Sequence, residues 1–171
     1  MATRFKSVIA FLAAVMVVAT AACAGENPAP NPALAADYYD RGDAYFKDGK
    51  YQLAVNEFTT AIRLDPQSRD AYWYQALSYD ELGQHQRAIT DWDKAIQLDP
   101  TDHLLYNNRG VTYHDLGQHQ RAIQDFDKAI QLDPDDAGVY SNRGVSYRDL
   151  GKYAEADTDF AKACSVDSQY C

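Results

Sequence analysis

The residues best suited to chemistry are four histidines, His85, His103, His114 and His119, three aspartate pairs, Asp91/Asp93, Asp125/Asp127 and Asp157/Asp159, and three cysteines, Cys23, Cys164 and Cys171. Imidazoles and carboxylates together can hold a metal ion or relay protons. A zinc site is recognised by ligands at short fixed spacings, and these histidines show none. His85 and His119 occupy equivalent places in two nearly identical stretches, and tyrosine (Tyr51, Tyr153) takes that place elsewhere, so packing is their expected role. His103 and His114 fall on a helix or at its start. A calcium loop alternates acidic ligands around a glycine turn. The aspartate pairs instead fall within helical patterns, where solvated faces are expected. Asp93 and Asp127 each precede a lysine by one residue, a spacing that makes no helical ion pair. There is no nucleophile with a credible base and no phosphate-cradling loop. The sequence therefore predicts no catalytic residue, no metal and no cofactor.

The elements that carry these residues are copies of one another. Gly83 to Pro100 differs from Gly117 to Pro134 only by Thr90 for Gln124 and Trp92 for Phe126. The same pattern runs from Tyr38, Tyr72, Tyr106 and Tyr140, a step of 34 residues that signals a helical repeat array. Tyr45, Tyr79, Tyr113 and Tyr147 lie two helical turns later on the same face. Between the two tyrosine columns sits a small residue, Gly42, Ala76, Gly110 or Gly144, where another helix must approach closely. Gly49, Gly83, Gly117 and Gly151 can take the left-handed conformation that ends the first helix. The second helix carries Ala54, Ala88, Ala122 and Ala156, then Phe58, Trp92, Phe126 and Phe160, then Ala61, Ala95, Ala129 and Ala163. Large against small at this spacing gives interdigitated packing. Asp-Pro then ends the helix at Pro66, Pro100 and Pro134.

Aromatic, small residue, Tyr, Gly, Ala, aromatic, Ala and Pro in this order resemble the tetratricopeptide repeat, from about Ala35 to Tyr170. The resemblance implies an all-α superhelical solenoid of antiparallel helix pairs, right-handed, whose first helices line a concave groove that binds peptides or partner helices. The expected units are 35–68, 69–102, 103–136 and 137–171. In the last, Asp157 replaces the apolar Val55, Ile89 and Ile123, and Cys164 replaces Ile62, Ile96 and Ile130. A polar outer face is what a terminal unit requires. Cys164 and Cys171 are expected to form a disulfide that pins the C-terminus, provided the helix ends before Cys171.

Ahead of the repeats, Met1 to Lys6 is basic and Val8 to Ala19 is an unbroken apolar run, the layout of a signal peptide (residues 1–23). Thr20-Ala21-Ala22-Cys23 resembles a bacterial lipobox, with Thr20 departing from the usual leucine, and this favours lipidation at Cys23. Ala22-Cys23-Ala24 also fits ordinary signal cleavage. Residues 24–34, with Pro28, Pro30 and Pro32, read as a semi-extended tether.

The chain has 25 acidic against 16 basic residues and a net charge of −9. That argues against nucleic acid and anionic lipid as partners, leaving the membrane only through a lipid anchor, and is compatible with a basic protein. By resemblance the groove columns are Tyr39, Trp73, Asn107 and Ser141; Asp40, Tyr74, Asn108 and Asn142; Asp43, Leu77, Val111 and Val145; and Phe46, Asp80, His114 and Arg148. Trp73 is either an anchor for a partner or packing against the first unit. Asn107, Asn108 and Asn142 can grip a peptide backbone or simply face water. Tyr39 and Asp43 stand where repeats that clamp chaperone C-termini need lysine and asparagine, so that specialisation is excluded. The expected function is a non-enzymatic adaptor in the periplasm, anchored to the outer membrane, akin to adaptors for cell-wall hydrolases or pilus assembly. A self-associating structural array and a small-molecule or glycan binder are the alternatives.

Overall fold

A computed structural model describes residues 30–171. The signal segment, Cys23 and most of the tether lie outside the described residues. Among the described residues eight α-helices follow one another: α1 (Pro32–Lys47), α2 (Tyr51–Leu64), α3 (Arg69–Glu81), α4 (His85–Leu98), α5 (His103–Asp115), α6 (His119–Leu132), α7 (Ala137–Asp149) and α8 (Tyr153–Val166). A short 3-10 turn, Ser168–Tyr170, closes the chain. Each helix packs chiefly on its predecessor and successor, so the four units are helix pairs stacked in sequence order. Among the described residues no helix is long and apolar enough to cross a membrane.

The first helix begins inside the expected tether. Pro32 occupies its first turn, and the Asn31 side chain accepts a hydrogen bond from the Leu34 N–H. Proline has no N–H to lose there and its φ is already helical, so Pro32 starts the helix rather than extending the tether. Ser68, Asp102 and Asp136 cap the first helices of the later units in the same way.

The turn inside each unit is as the glycine column predicts. Gly117 sits at φ 70°, a left-handed conformation, and the other three glycines of that column match it. The Gln118 N–H then reaches back to the Tyr113 carbonyl at 2.8 Å, and the Gly117 N–H to that of His114 at 2.8 Å. This pair of bonds satisfies carbonyls at the end of α5 and reverses the chain into α6. Between units, the Asp133 carboxylate accepts from the Asp135 N–H across Pro134, as Asp65 and Asp99 do in their own turns.

Phe58, Trp92 and Phe126 are fully buried. A methyl group at Gly110 would stand 2.6 Å from the Phe126 ring, so the small residue of the first helix is set by the aromatic of the second. In the last unit Asp157 is exposed, as expected for an outer face. Cys164 and Cys171 form a disulfide, which becomes reachable because α8 stops at Val166 and the 3-10 turn brings the chain back.

The aspartate pairs correct the sequence reading. Asp93, Asp127 and Asp157 are exposed, but Asp91, Asp125 and Asp159 are buried. The Arg109 guanidinium bonds both oxygens of Asp125, at 2.8 and 2.7 Å, and donates to Asp93 of the preceding unit at 2.6 Å. Arg143 repeats this with Asp159 at 2.8 and 2.6 Å and with Asp127 at 2.6 Å. Each arginine thus ties its own helix pair together and ties it to the unit before. Burial works against the charge of Arg109, but its bonds to Asp125 and Asp93 outweigh that and hold its pKa above the ordinary value. Unit one has a weaker version, Arg41 with Glu57 at 2.9 Å. In unit two Gln75 stands in the arginine's place and turns away, donating to Thr59 Oγ1 at 2.6 Å and the Val55 carbonyl at 3.2 Å. Asp91 is left with one carboxylate oxygen buried and without a hydrogen-bond partner.

Candidate functional site

The first helices of units two to four bring part of the expected groove together. Leu77, Asp80 and Glu81 of α3 and Asn108, Val111 and Asp115 of α5 line a cavity of about 310 Å³. Val111 also borders the next cavity, about 170 Å³, with His114, Phe126, Asn142 and Val145. Leu77, Asn108, Val111 and Asn142 therefore share one continuous surface. It mixes the aliphatic Leu77, Val111 and Val145 and two amides with the carboxylates of Asp80, Glu81 and Asp115.

The remaining groove candidates are placed by packing. Tyr74 lies 5.9 Å from Tyr39, 5.6 Å from Phe46 and 5.9 Å from Phe58, forming an aromatic block at the joint of units one and two. Burial, with the nearby Tyr74, Asp70, Asp43 and Asp40, pushes the Tyr39 hydroxyl pKa up. Trp73 is half-buried, set edge-on to Trp92 at 5.7 Å with the Arg69 guanidinium 5.0 Å from its ring. It packs on the second helix of its own unit, not on the first unit. Asn142 donates to the Asn107 side chain at 3.0 Å, so these two amides bind each other across the joint of units three and four. Arg148 is exposed, its guanidinium 5.8 Å from the Phe160 ring.

The histidines do more than pack. Asp80 accepts from Trp92 Nε1 at 3.2 Å and from the Thr112 hydroxyl at 2.7 Å, and lies 3.0 Å from His85 Nδ1. This single carboxylate joins α3, α4 and α5. His103 lies 3.3 Å from Asp136, the cap of the next unit's first helix, just as Arg69 contacts Asp102 one unit earlier. His114 and His119 approach with their Nδ1 atoms 3.2 Å apart, and Asp149 lies 3.6 Å from His114 Nε2. Linear spacing hides this cluster, because its members come from three helices. The repeat alignment is the signal that exposes it: positions 114 and 119 correspond to 80 and 85, which also touch.

Family models described as tetratricopeptide repeat match residues 39–103, 103–136 and 126–158, and with the helix-pair architecture they make this chain a tetratricopeptide repeat protein. No curated protein matches the sequence. Among solved structures, a MamA protein is 25% identical with a TM-score of 0.75, over 79% of this chain and 74% of that one. YrrB, a tetratricopeptide repeat protein with an unusual peptide-binding site, is 23% identical with a TM-score of 0.72, over 78% of this chain and 69% of that one. PilF of Pseudomonas aeruginosa is 24% identical with a TM-score of 0.70, over 78% of this chain and 61% of that one. At these identities the likeness is one of fold. The fold is a scaffold class that is typically non-enzymatic and binds peptide or protein partners.

Proposed function

We propose that this protein is an adaptor of the bacterial envelope that binds a segment of another protein in the groove between units two and four. The observation that carries this is the continuous surface of Leu77, Val111, Asn108 and Asn142 edged by Glu81 and Asp115. Aliphatic contacts supply affinity, amides meet a peptide backbone, and the acidic edge selects a basic segment. The net charge of −9 acts in the same direction at long range. Trp73 is not the anchor in this reading, since its ring is occupied by Trp92 and Arg69.

The test is affinity capture from envelope extract with wild type and with Val111→Lys. Val111 is 36% exposed, so the substitution is expected to leave the melting temperature unchanged. Lysine at this point fills the groove and repels a basic segment. A partner held by wild type is expected to be reduced at least tenfold by the variant. Equal capture by both proteins, or concentration-dependent self-association with no partner, would remove this reading in favour of another surface or a structural array.

We also propose export with lipid attachment at Cys23, on the basis of the basic start, the apolar run Val8 to Ala19 and the small residues before Cys23. Mass spectrometry of the mature chain is expected to find a diacylglyceryl-modified Cys23 as the first residue. An unmodified N-terminus at Gly25 would show simple cleavage instead.

A further inference from the structure

We propose that His114, His119 and Asp149 form a binding site for a divalent transition metal ion, zinc being the best fit, at the joint of units three and four. One ligand atom from each of the three lies within 4.8 Å of the others. The imidazole ring centres are 4.9 Å apart but the Nδ1 atoms only 3.2 Å, so the two nitrogens lie on facing edges of the rings. Two nitrogens bound to one tetrahedral zinc at 2.0–2.1 Å stand about 3.3 Å apart. The preformed separation therefore matches an edge of the coordination tetrahedron. Asp149, 42% exposed in its side chain and 3.6 Å from His114 Nε2, is free to turn a carboxylate oxygen onto the ion as the third ligand.

The scaffold builds this contact in units one to three and varies its chemistry. The equivalent pair is Phe46 and Tyr51 in unit one, with ring centres 5.5 Å apart, and Asp80 and His85 in unit two, 3.0 Å apart. In unit two the carboxylate is claimed by the Trp92 indole N–H and the Thr112 hydroxyl. In unit three Phe126 stands in place of Trp92 and brings no N–H. His114 meets His119, Asp149 and the Ser146 hydroxyl, 3.1 Å away, which can donate its proton to the Asn142 carbonyl at 3.2 Å. Imidazole with carboxylate suits zinc, copper or nickel, and three protein ligands leave one position open. Because His114 also lines the groove cavity with Val111 and Asn142, the ion sits in the groove wall and clamps α5, α6 and α7 together.

The experiment uses the untagged full chain with its disulfide intact and Cys23→Ser, which removes the one thiol outside that bridge. Zinc titration by calorimetry is expected to give one ion per chain, and cobalt to give the visible absorption of a tetrahedral site. His119→Tyr and His114→Phe each copy what unit one already has, so the fold tolerates them. Each is expected to weaken zinc at least tenfold and to abolish the cobalt spectrum, while His85→Tyr in unit two leaves both unchanged. Zinc should raise the melting temperature of the parent but not of His119→Tyr. Absence of binding, or binding insensitive to His114 and His119, or binding lost equally with His85→Tyr, would overturn the site.

Discussion

Asp91→Asn is expected to stabilise the array above neutral pH and to remove much of its pH dependence between about pH 4 and 7. Asp91 is 9% exposed and has an unpartnered oxygen, and burial raises its pKa from 3.8 to about 7. A carboxyl whose folded pKa is raised binds its proton more tightly in the folded state. Its contribution is fully present below the unfolded value of 3.8 and is lost as pH rises through about 7. A shift of that size corresponds to about 4 kcal/mol when the group is fully ionised. Asparagine keeps the shape and the unpaired polar atom but never ionises. Urea unfolding should therefore show wild type and variant nearly equal at pH 4 and the variant more stable by about 2–4 kcal/mol at pH 8. Gln75→Arg should flatten the same profile by another route, since it supplies the guanidinium that Asp125 and Asp159 already have. Parallel profiles for wild type and Asp91→Asn would show that this carboxylate is not the source.

Why the sequence revealed the scaffold but not this defect follows from what each residue had to do. The tyrosine, glycine and alanine columns recur because every unit repeats the same turn and the same packing of its helix pair, so period alone predicts them. The burial of Asp91 beside an exposed Asp93 depends on helix rotation, which a dipeptide-scale view of Asp-x-Asp does not separate. The readable signal lay sixteen residues earlier in the partner column Arg41, Gln75, Arg109 and Arg143, whose one uncharged member is the one that leaves an acid stranded. The repeat columns suffice to place Leu77, Asn108 and Val111 along one cavity, because that needs only the register of the first helices. The groove was not readable at Trp73, Tyr39 and Tyr74, because an aromatic in a repeat array can equally fill a joint. The His114–His119 contact needed the glycine turn to be closed before two residues on different helices could meet.

Arg109→Gln is expected to be the most damaging polar substitution in the array, because it gives unit three the arrangement of unit two. The two arginine bonds to Asp125 disappear, and that carboxylate, 7% exposed, is left without its cation. Breaking a buried pair from one side costs about 3–5 kcal/mol, most of it the stranded charge rather than the lost attraction. The double variant Arg109→Gln/Asp125→Asn should therefore recover most of the loss, and the double-mutant cycle should give a coupling of about 2–3 kcal/mol. Asp93→Asn should cost little, since that partner is 55% exposed in its side chain. The position of Arg109 adds a second effect. In an array whose units touch only their neighbours, cooperativity resides in the joints. Arg109 binds Asp93 of unit two and Asp125 of unit three, so its removal weakens the joint as well as the unit. Denaturant unfolding of Arg109→Gln should show a lower midpoint and also a shallower slope, as units three and four begin to open apart from units one and two. A lower midpoint with an unchanged slope would confine the arginine's role to its own helix pair.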